Sequence, residues 1–137
     1  MSKVLNTVNY LLEKSEYTLS NLKINKLLYY VYGVYLTLYD DRPFEDTPEA
    51  WDYGPVFPEV YRELKVYGSK PVKFPIPGGH TNTLDSKLKE VCDVVFDGLG
   101  KLSGSQLIRA THVTGGPWDR NYDPGYLHAE IPDEDIK

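Results

Sequence analysis

The chain has 137 residues, of which 41% are hydrophobic, and its formal net charge is −5 at pH 7. This length and composition fit one domain, residues 1–137, with a core of ordinary size. The acidic balance argues against general binding to nucleic acid phosphates, which favours clustered basic residues. No apolar run reaches the length of a membrane span, and no secretion signal is apparent. We therefore expect a cytoplasmic protein without a membrane partner.

Cysteine and histidine usage bounds the metal chemistry of the chain. Cys92 is the single cysteine and lies in the apolar run 91–96, so it cannot form an internal disulfide or a multi-cysteine zinc site. Of the three histidines, His80, His112 and His128, no two have the spacing of ligands on one helix. The sequence predicts a buried Cys92, no metal site and no cofactor.

Two amphipathic helices are predicted in the first part of the chain. Apolar residues recur at helical spacing from about Lys3 to Lys14, and again after Ser20, whose hydroxyl can cap a helix start. The second helix should end before Pro43, because proline disfavours helical backbone in the preceding residue. Its apolar stripe consists of Ile24, Leu27, Leu28, Val31, Val34, Tyr35 and Leu38.

A short link follows the second helix. Residues 49–53 are compatible with one short strand that needs a partner from elsewhere in the chain. Gly54 permits a tight backbone conformation, and Pro55 suits the first turn of a third helix that stops near Gly68. Pro58 fits that first turn as well, so the start of the helix stays open between the two prolines. Alternating apolar residues further on predict an edge strand that pairs with the link, formed by Val72, Phe74 and Ile76.

The rest of the chain is predicted to be helical with glycine-rich connections. Helical spacing returns at 84–96 and ends at Gly98 and Gly100, and Ser103 with Gln106 forms a capping box for the next helix. A tight corner follows at 115–118, and any helix after Pro132 is short. The predicted fold is mainly α, a single compact domain of about five helices with at most a small two-strand element.

Aromatic residues are unusually frequent in the second helix. Five tyrosines fall within residues 29–39, which is more than one helix face can hold. Most should pack, but Tyr29, Tyr30 and Tyr32 are predicted to face outward. Trp51 is predicted to lie in the core. For Trp118, which follows a Gly-Gly-Pro corner, both the core and a partner surface remain open.

His112 is the best candidate for acid–base chemistry, since imidazole titrates near neutral pH. Its sequence neighbourhood shows no catalytic frame of nucleophile, second acid and metal ligands. We therefore expect a structural His112 that hydrogen-bonds near Trp118 or the link, and we predict no catalytic residues.

Two blocks of the sequence resemble the Panacea domain, the SocA-like antitoxin family that also includes phage-associated proteins. The first block is NLKINKLLYY at 21–30; the second is AWDYGPV at 50–56 with PEVY at 58–61. Their spacing is similar to the family's, and Thr111, His112 and Trp118 stand where members carry similar residues. The chain differs at Asn25, where glutamine is more usual, and at Asp52, where lysine is frequent. The resemblance covers roughly residues 4–136.

The resemblance implies a non-enzymatic antitoxin that neutralises a cognate toxin, commonly encoded nearby, by direct protein–protein binding. The alternatives are a protease adaptor, or a phage accessory protein that binds a host factor; an enzyme that uses His112 is less favoured. We expect Gly54 and His112 to be structural, and we do not expect nucleic acid as a partner. An aromatic and acidic surface should contact the toxin through Tyr29, Tyr30, Tyr32, Trp51, Tyr53, Pro55 and Trp118.

Overall fold

The computed structural model describes residues 3–78, 81–113, 115–126 and 129–136, so His80 and His128 lie outside the described residues. Short 3₁₀ turns occur at Lys65–Tyr67 and Thr81–Thr83. The helices and strands of the described residues are α1 (Lys3–Lys14), α2 (Asn21–Tyr39), β1 (Glu49–Trp51), β2 (Gly54–Val56), α3 (Pro58–Leu64), α4 (Ser86–Leu99), α5 (Gly104–Thr111), α6 (Pro117–Asn121) and α7 (Asp133–Ile136). The prediction of a mainly α fold with a small two-strand element is confirmed.

Helix α2 is the element around which the core forms. It contacts α1, α3, α4, α5 and β2, so its apolar residues are covered from several sides. Ser20 caps its start as predicted, because the hydroxyl accepts the backbone N–H of Lys23. Most of the predicted apolar stripe is buried, but Leu38, in the last turn, is 63% exposed.

The link between α2 and α3 is a two-stranded antiparallel hairpin. Trp51 pairs with Gly54, so Asp52 and Tyr53 form a two-residue turn. The main partner of β1 is therefore the strand that directly follows it, and the predicted partner from elsewhere is present as a bridge between Glu49 and Glu130. Of the two prolines that suit the helix start, Pro58 begins α3, whereas Pro55 lies in β2.

Proline fits in β2 because of the pairing register. Pro55 stands opposite Ala50, whose own N–H donates to the carbonyl of Ala129 on the other side of β1. A residue without an N–H is tolerated in a strand where the ladder does not require that donor. A Gly-Pro pair such as 54–55 is typical of a helix start, but the pairing of Pro55 with Ala50 places this pair in a strand instead.

The predicted edge strand at 72–76 does not pair with the link. Its backbone groups are satisfied by the first part of the chain instead: Val72 N–H donates to Leu19 O. The side-chain amide of Asn9 makes two hydrogen bonds to the backbone of Ile76: its Oδ1 accepts the N–H at 2.7 Å, and its Nδ2 donates to the carbonyl at 3.0 Å. This segment therefore runs along α1, and the prediction of a strand there is wrong.

The carboxyl-terminal half follows the sequence signals more closely. Asp85 caps α4, while Gly98 lies inside that helix and Gly100 follows it. The capping box of Ser103 and Gln106 is present at the start of α5, as predicted. Cys92 is fully buried, which confirms its predicted place in the core. Among the described residues, none of the helices combines the length and apolar character needed to cross a lipid bilayer.

Candidate partner-binding cleft

A cleft of about 470 Å³ opens between the first half of α2, the hairpin and α3 with the 3₁₀ turn that follows it; we call it the aromatic cleft. The two sequence blocks of the Panacea resemblance both contribute to its wall. The lining residues are Asn21, Leu22, Asn25, Lys26, Trp51, Asp52, Tyr53, Val56, Tyr61, Lys65, Gly68 and Ser69.

Two buried asparagines connect α2 to the start of α3. Asn25 donates through Nδ2 to the carbonyl of Asn21 at 3.0 Å and to its Oδ1 at 2.8 Å. Its own Oδ1 accepts the backbone N–H of Phe57 at 2.8 Å. Asn21 Nδ2 donates onward to the carbonyl of Tyr61 at 3.3 Å. This network satisfies buried polar groups and fixes α3 against α2.

Lys26 lies next to this network and is only 1% exposed. Its Nζ donates to the carbonyl of Pro55 at 2.9 Å, which ties α2 to β2. Burial lowers the pKa of the Lys26 ammonium to about 7, because desolvation disfavours the charged form. Gly54 makes room for it, since a Cβ there would lie 2.7 Å from both Lys26 Cε and Thr111 Oγ1. The structural role predicted for Gly54 has this steric cause.

Aromatic side chains form the rim of the cleft. The rings of Trp51 and Tyr61 meet at a centroid distance of 5.0 Å, and Trp51 Nε1 donates to Glu49 Oε1. Tyr53 at the hairpin tip is 67% exposed and Tyr61 is 38% exposed. Trp51 itself is half-buried, so its predicted place in the core is only partly realised. Exposed aromatic area of this kind suits a protein interface.

His112 is held by ring stacking behind the hairpin. It lies parallel to Trp118 at a centroid distance of 3.6 Å, and Trp118 stacks in turn on Tyr122 at 4.5 Å. Trp118 Nε1 donates to the carbonyl of Trp51 at 2.7 Å. The predicted location of His112 near Trp118 is thus correct. Its Nε2 is buried and has no hydrogen-bond partner among the described residues, so the predicted hydrogen bond is absent at that atom.

The environment of His112 disfavours its charged form. Burial lowers the pKa of the imidazole, and the positive charge of Lys26 lowers it further, while Asp119 acts in the opposite direction. Within the described residues, no group of three or more His, Cys, Asp or Glu side chains is arranged to hold a metal ion.

The outward orientation predicted for two tyrosines of α2 is wrong. Tyr32 is fully buried against Phe44 and Phe57, and its hydroxyl donates to Asp133 Oδ1 at 2.6 Å. Tyr29 is buried as well, with its ring edge-on to that of Tyr30. The polar end of each phenol lets it enter a core position, so the number of tyrosines did not require outward faces.

The seven predicted partner residues do not form one surface. Trp51 and Tyr53 line the aromatic cleft, whereas Tyr29 and Tyr30 line a separate apolar groove of about 470 Å³ along the other side of α2. Pro55 and Trp118 are buried.

The predicted partner residues leave out most of the lining of the cleft, including Asn25, Lys26 and Tyr61. Asn25 and Lys26 occupy buried positions of α2, and Tyr61 projects from α3 beside Trp51. A signal was present: Asn21 and Asn25 are four residues apart, and Lys26 directly precedes the apolar pair Leu27 and Leu28. Polar residues at core positions of a helix indicate specific hydrogen-bond partners within the fold.

Comparison with known proteins agrees with this arrangement. A family model described as "Antitoxin SocA-like, Panacea domain" matches residues 24–119, a range that includes the second block and all but the first three residues of the first. Antitoxin SocA of Caulobacter vibrioides (strain NA1000 / CB15N) is 34% identical over 123 residues, which cover 81% of this chain and 65% of that protein. The chain thus spans less than two thirds of that relative's length. No solved structure gives a significant match. The chain belongs to the SocA-like antitoxin family and carries its Panacea domain.

Proposed function

We propose that this protein is an antitoxin that neutralises a cognate toxin, encoded nearby, by binding it directly through the aromatic cleft. The observation that carries the proposal is the convergence of both Panacea sequence blocks on this cleft. The similarity to Antitoxin SocA supports the choice of a toxin as partner. The proposal contains no catalytic step, since occupation of the toxin surface suffices for neutralisation.

The rim of the cleft has the chemistry of a binding hot spot. Tyr53 and Tyr61 expose aromatic rings, and the half-buried Trp51 lies between a packed interior and solvent. Aromatic residues in such positions contribute a disproportionate share of binding energy, because they bury a large area while losing few rotamers. If the toxin is basic, the net charge of −5 also speeds the encounter.

The test is co-expression with the product of the adjacent gene, scored by growth rescue and by co-purification. Tyr53→Ala and Tyr61→Ala should each weaken the complex by at least about tenfold, as expected for truncated hot-spot aromatics. Phe74→Ala is the matched control, because Phe74 is an exposed aromatic residue that does not line the cleft. Thermal unfolding of each variant checks that the fold is retained.

Three outcomes separate the candidate functions. Rescue with a stable complex that the cleft variants lose, and Phe74→Ala keeps, supports direct neutralisation. Rescue accompanied by rapid disappearance of the neighbouring protein indicates a protease adaptor instead. Absence of toxicity and of any complex contradicts the antitoxin proposal and favours an accessory protein that binds a host factor.

A further inference from the structure

Lys26 is a buried cation without an acidic partner in the part of the chain that the structure describes. Its ammonium donates to Pro55 O, but an ammonium carries three donors. The ion pairs of the described residues join other side chains, and Lys26 is in none of them. An uncompensated buried charge is costly, and a counter-charge nearby would relieve that cost.

The titratable groups around Lys26 leave this positive charge unbalanced. His112, which follows the last residue of α5, supplies no counter-charge, since burial and the positive charge of Lys26 lower the pKa of its imidazole. On the hairpin, Asp52 lines the same cleft; its Oδ1 accepts the hydroxyl of Tyr122 at 2.5 Å, and none of the ion pairs of the described residues joins it to Lys26. Lys65, after α3, adds another positive charge to the wall. In a chain of net charge −5, the lining of the cleft therefore carries two lysines and one carboxylate.

The shape and apolar surface of the cleft restrict the occupant further. Its volume of about 470 Å³ accommodates a few side chains of a peptide rather than a folded element. Trp51, Tyr61, Leu22 and Val56 supply apolar wall next to the lysine. A carboxylate next to an aromatic or aliphatic group matches both the lysine and the apolar wall, because the carboxylate can pair with Lys26 while the apolar group covers the rings of Trp51 and Tyr61.

We propose that the aromatic cleft binds a carboxylate-bearing segment of the partner protein, with the carboxylate paired to Lys26 and an adjacent apolar side chain against Trp51 and Tyr61. The inference rests on the proposed function, since it names the chemistry of the toxin segment that the cleft recognises. Lys26 also donates a hydrogen bond to Pro55 O and so holds the hairpin against α2. The residue that pairs with the carboxylate thus also helps to form the wall of the cleft.

The experiment uses two fragments that differ only in charge, N-acetylphenylalanine and its carboxamide, titrated into the full chain and followed by NMR. At pH 7 the acid should bind about tenfold or more tightly than the amide, the usual scale for one charge-assisted hydrogen-bonded pair. Lys26→Met should abolish this preference. Lys65→Met, which removes an exposed lysine from the same wall, should keep most of it.

A second measurement keeps the test independent of any structural role of Lys26. Affinity of the wild-type protein for the acid should fall as the pH rises above 7, because the neutral amine no longer attracts a carboxylate, while affinity for the amide should not change. Lys26→Gln keeps a donor for Pro55 O, and it should also lose the preference for the acid. Equal affinity for acid and amide, absence of binding by both at millimolar concentration, or a preference that survives in Lys26→Met overturns the inference.

Failure of this inference can be told apart from failure of the proposed function. Growth rescue by the wild-type chain together with no acid preference leaves the antitoxin proposal standing and rejects the carboxylate site. A Lys26-dependent acid preference without neutralisation of the neighbouring gene product supports the site and rejects the toxin as its partner.

Discussion

The side-chain oxygen of Asn25 accepts the backbone N–H of Phe57 at 2.8 Å, which joins the second turn of α2 to the residue that precedes α3. Phe57 is fully buried, so no solvent can replace this acceptor. The Nδ2 of the same amide donates to the carbonyl and to the Oδ1 of Asn21. One side chain therefore satisfies polar groups both in the first turn of α2 and just before α3.

Asn25→Ala should therefore lower the free energy of unfolding by about 2–3 kcal/mol, the cost of leaving a buried N–H unpaired together with lost bonds to Asn21. Urea denaturation measures the change. Asn121→Ala removes another asparagine that donates at 2.7 Å to a backbone carbonyl, that of Pro117, but at a half-buried site. Equal losses in the two variants would contradict the importance assigned to Asn25.

Gly54 is required by both its backbone and its neighbours. Its φ is +114°, and a Cβ would lie 2.7 Å from Lys26 Cε and Thr111 Oγ1. Gly68 also has a positive φ, +59°, but nothing lies within 4 Å of its ideal Cβ position. Gly54→Ala should thus cost about 1–3 kcal/mol more than Gly68→Ala, because overpacking adds to backbone strain. Urea denaturation of both variants gives the difference; similar costs would show that Lys26 and Thr111 move aside.

Local signals in the sequence were sufficient where a short segment decides its own structure. The cap at Ser20, the capping box at Ser103 and the periodicity of α1 and α2 were all readable, because each depends on residues within one or two turns. The burial of Cys92 followed from its apolar neighbours in the same way.

The site required contacts between distant segments, which no local signal contains. The place of Pro55 in a strand depends on Ala50 donating to Ala129, and the burial of Lys26 depends on a carbonyl 29 residues away. The burial of Tyr32 depends on Asp133, 101 residues further along the chain. Spacing alone could assign these residues to a helix face, but not decide what covers that face.

The stacking of His112 on Trp118 allows a test of the alternative that the protein is an enzyme that uses the imidazole of His112. His112→Phe keeps a flat ring at 3.6 Å from Trp118 but removes every titratable atom. We expect this variant to unfold within about 1 kcal/mol of the wild type, because the aromatic contact is retained. Neutralisation in the co-expression assay should also be unchanged.

His112→Ala is the companion variant and should be less stable, since the stacked ring is lost altogether. Thermal unfolding of both variants separates the structural contribution of the ring from any chemical one. A well-folded His112→Phe chain that no longer neutralises would contradict the structural role and revive the enzymatic reading.

The buried ammonium of Lys26 makes stability depend on pH in a defined direction. Its pKa in the folded chain is about 7, below the value of about 10.4 typical of an unfolded lysine. Above pH 7, unfolding therefore takes up a proton at this site, and the free energy of unfolding rises with pH by at most about 1.4 kcal/mol per unit. Cys92 acts in the opposite direction at higher pH, because burial raises the pKa of its thiol to about 12.

The comparison is therefore made between pH 7 and 8, where a free thiol still holds most of its proton. Urea denaturation across this interval should show that the wild-type protein gains stability relative to Lys26→Met as the pH rises. Lys65→Met, which removes an exposed positive charge from the same cleft, should follow the wild type. If the free energy of unfolding of wild type and Lys26→Met changes in parallel with pH, water or a rearranged carboxylate reaches the ammonium. The charge of Lys26 is then compensated, contrary to the arrangement described for the cleft.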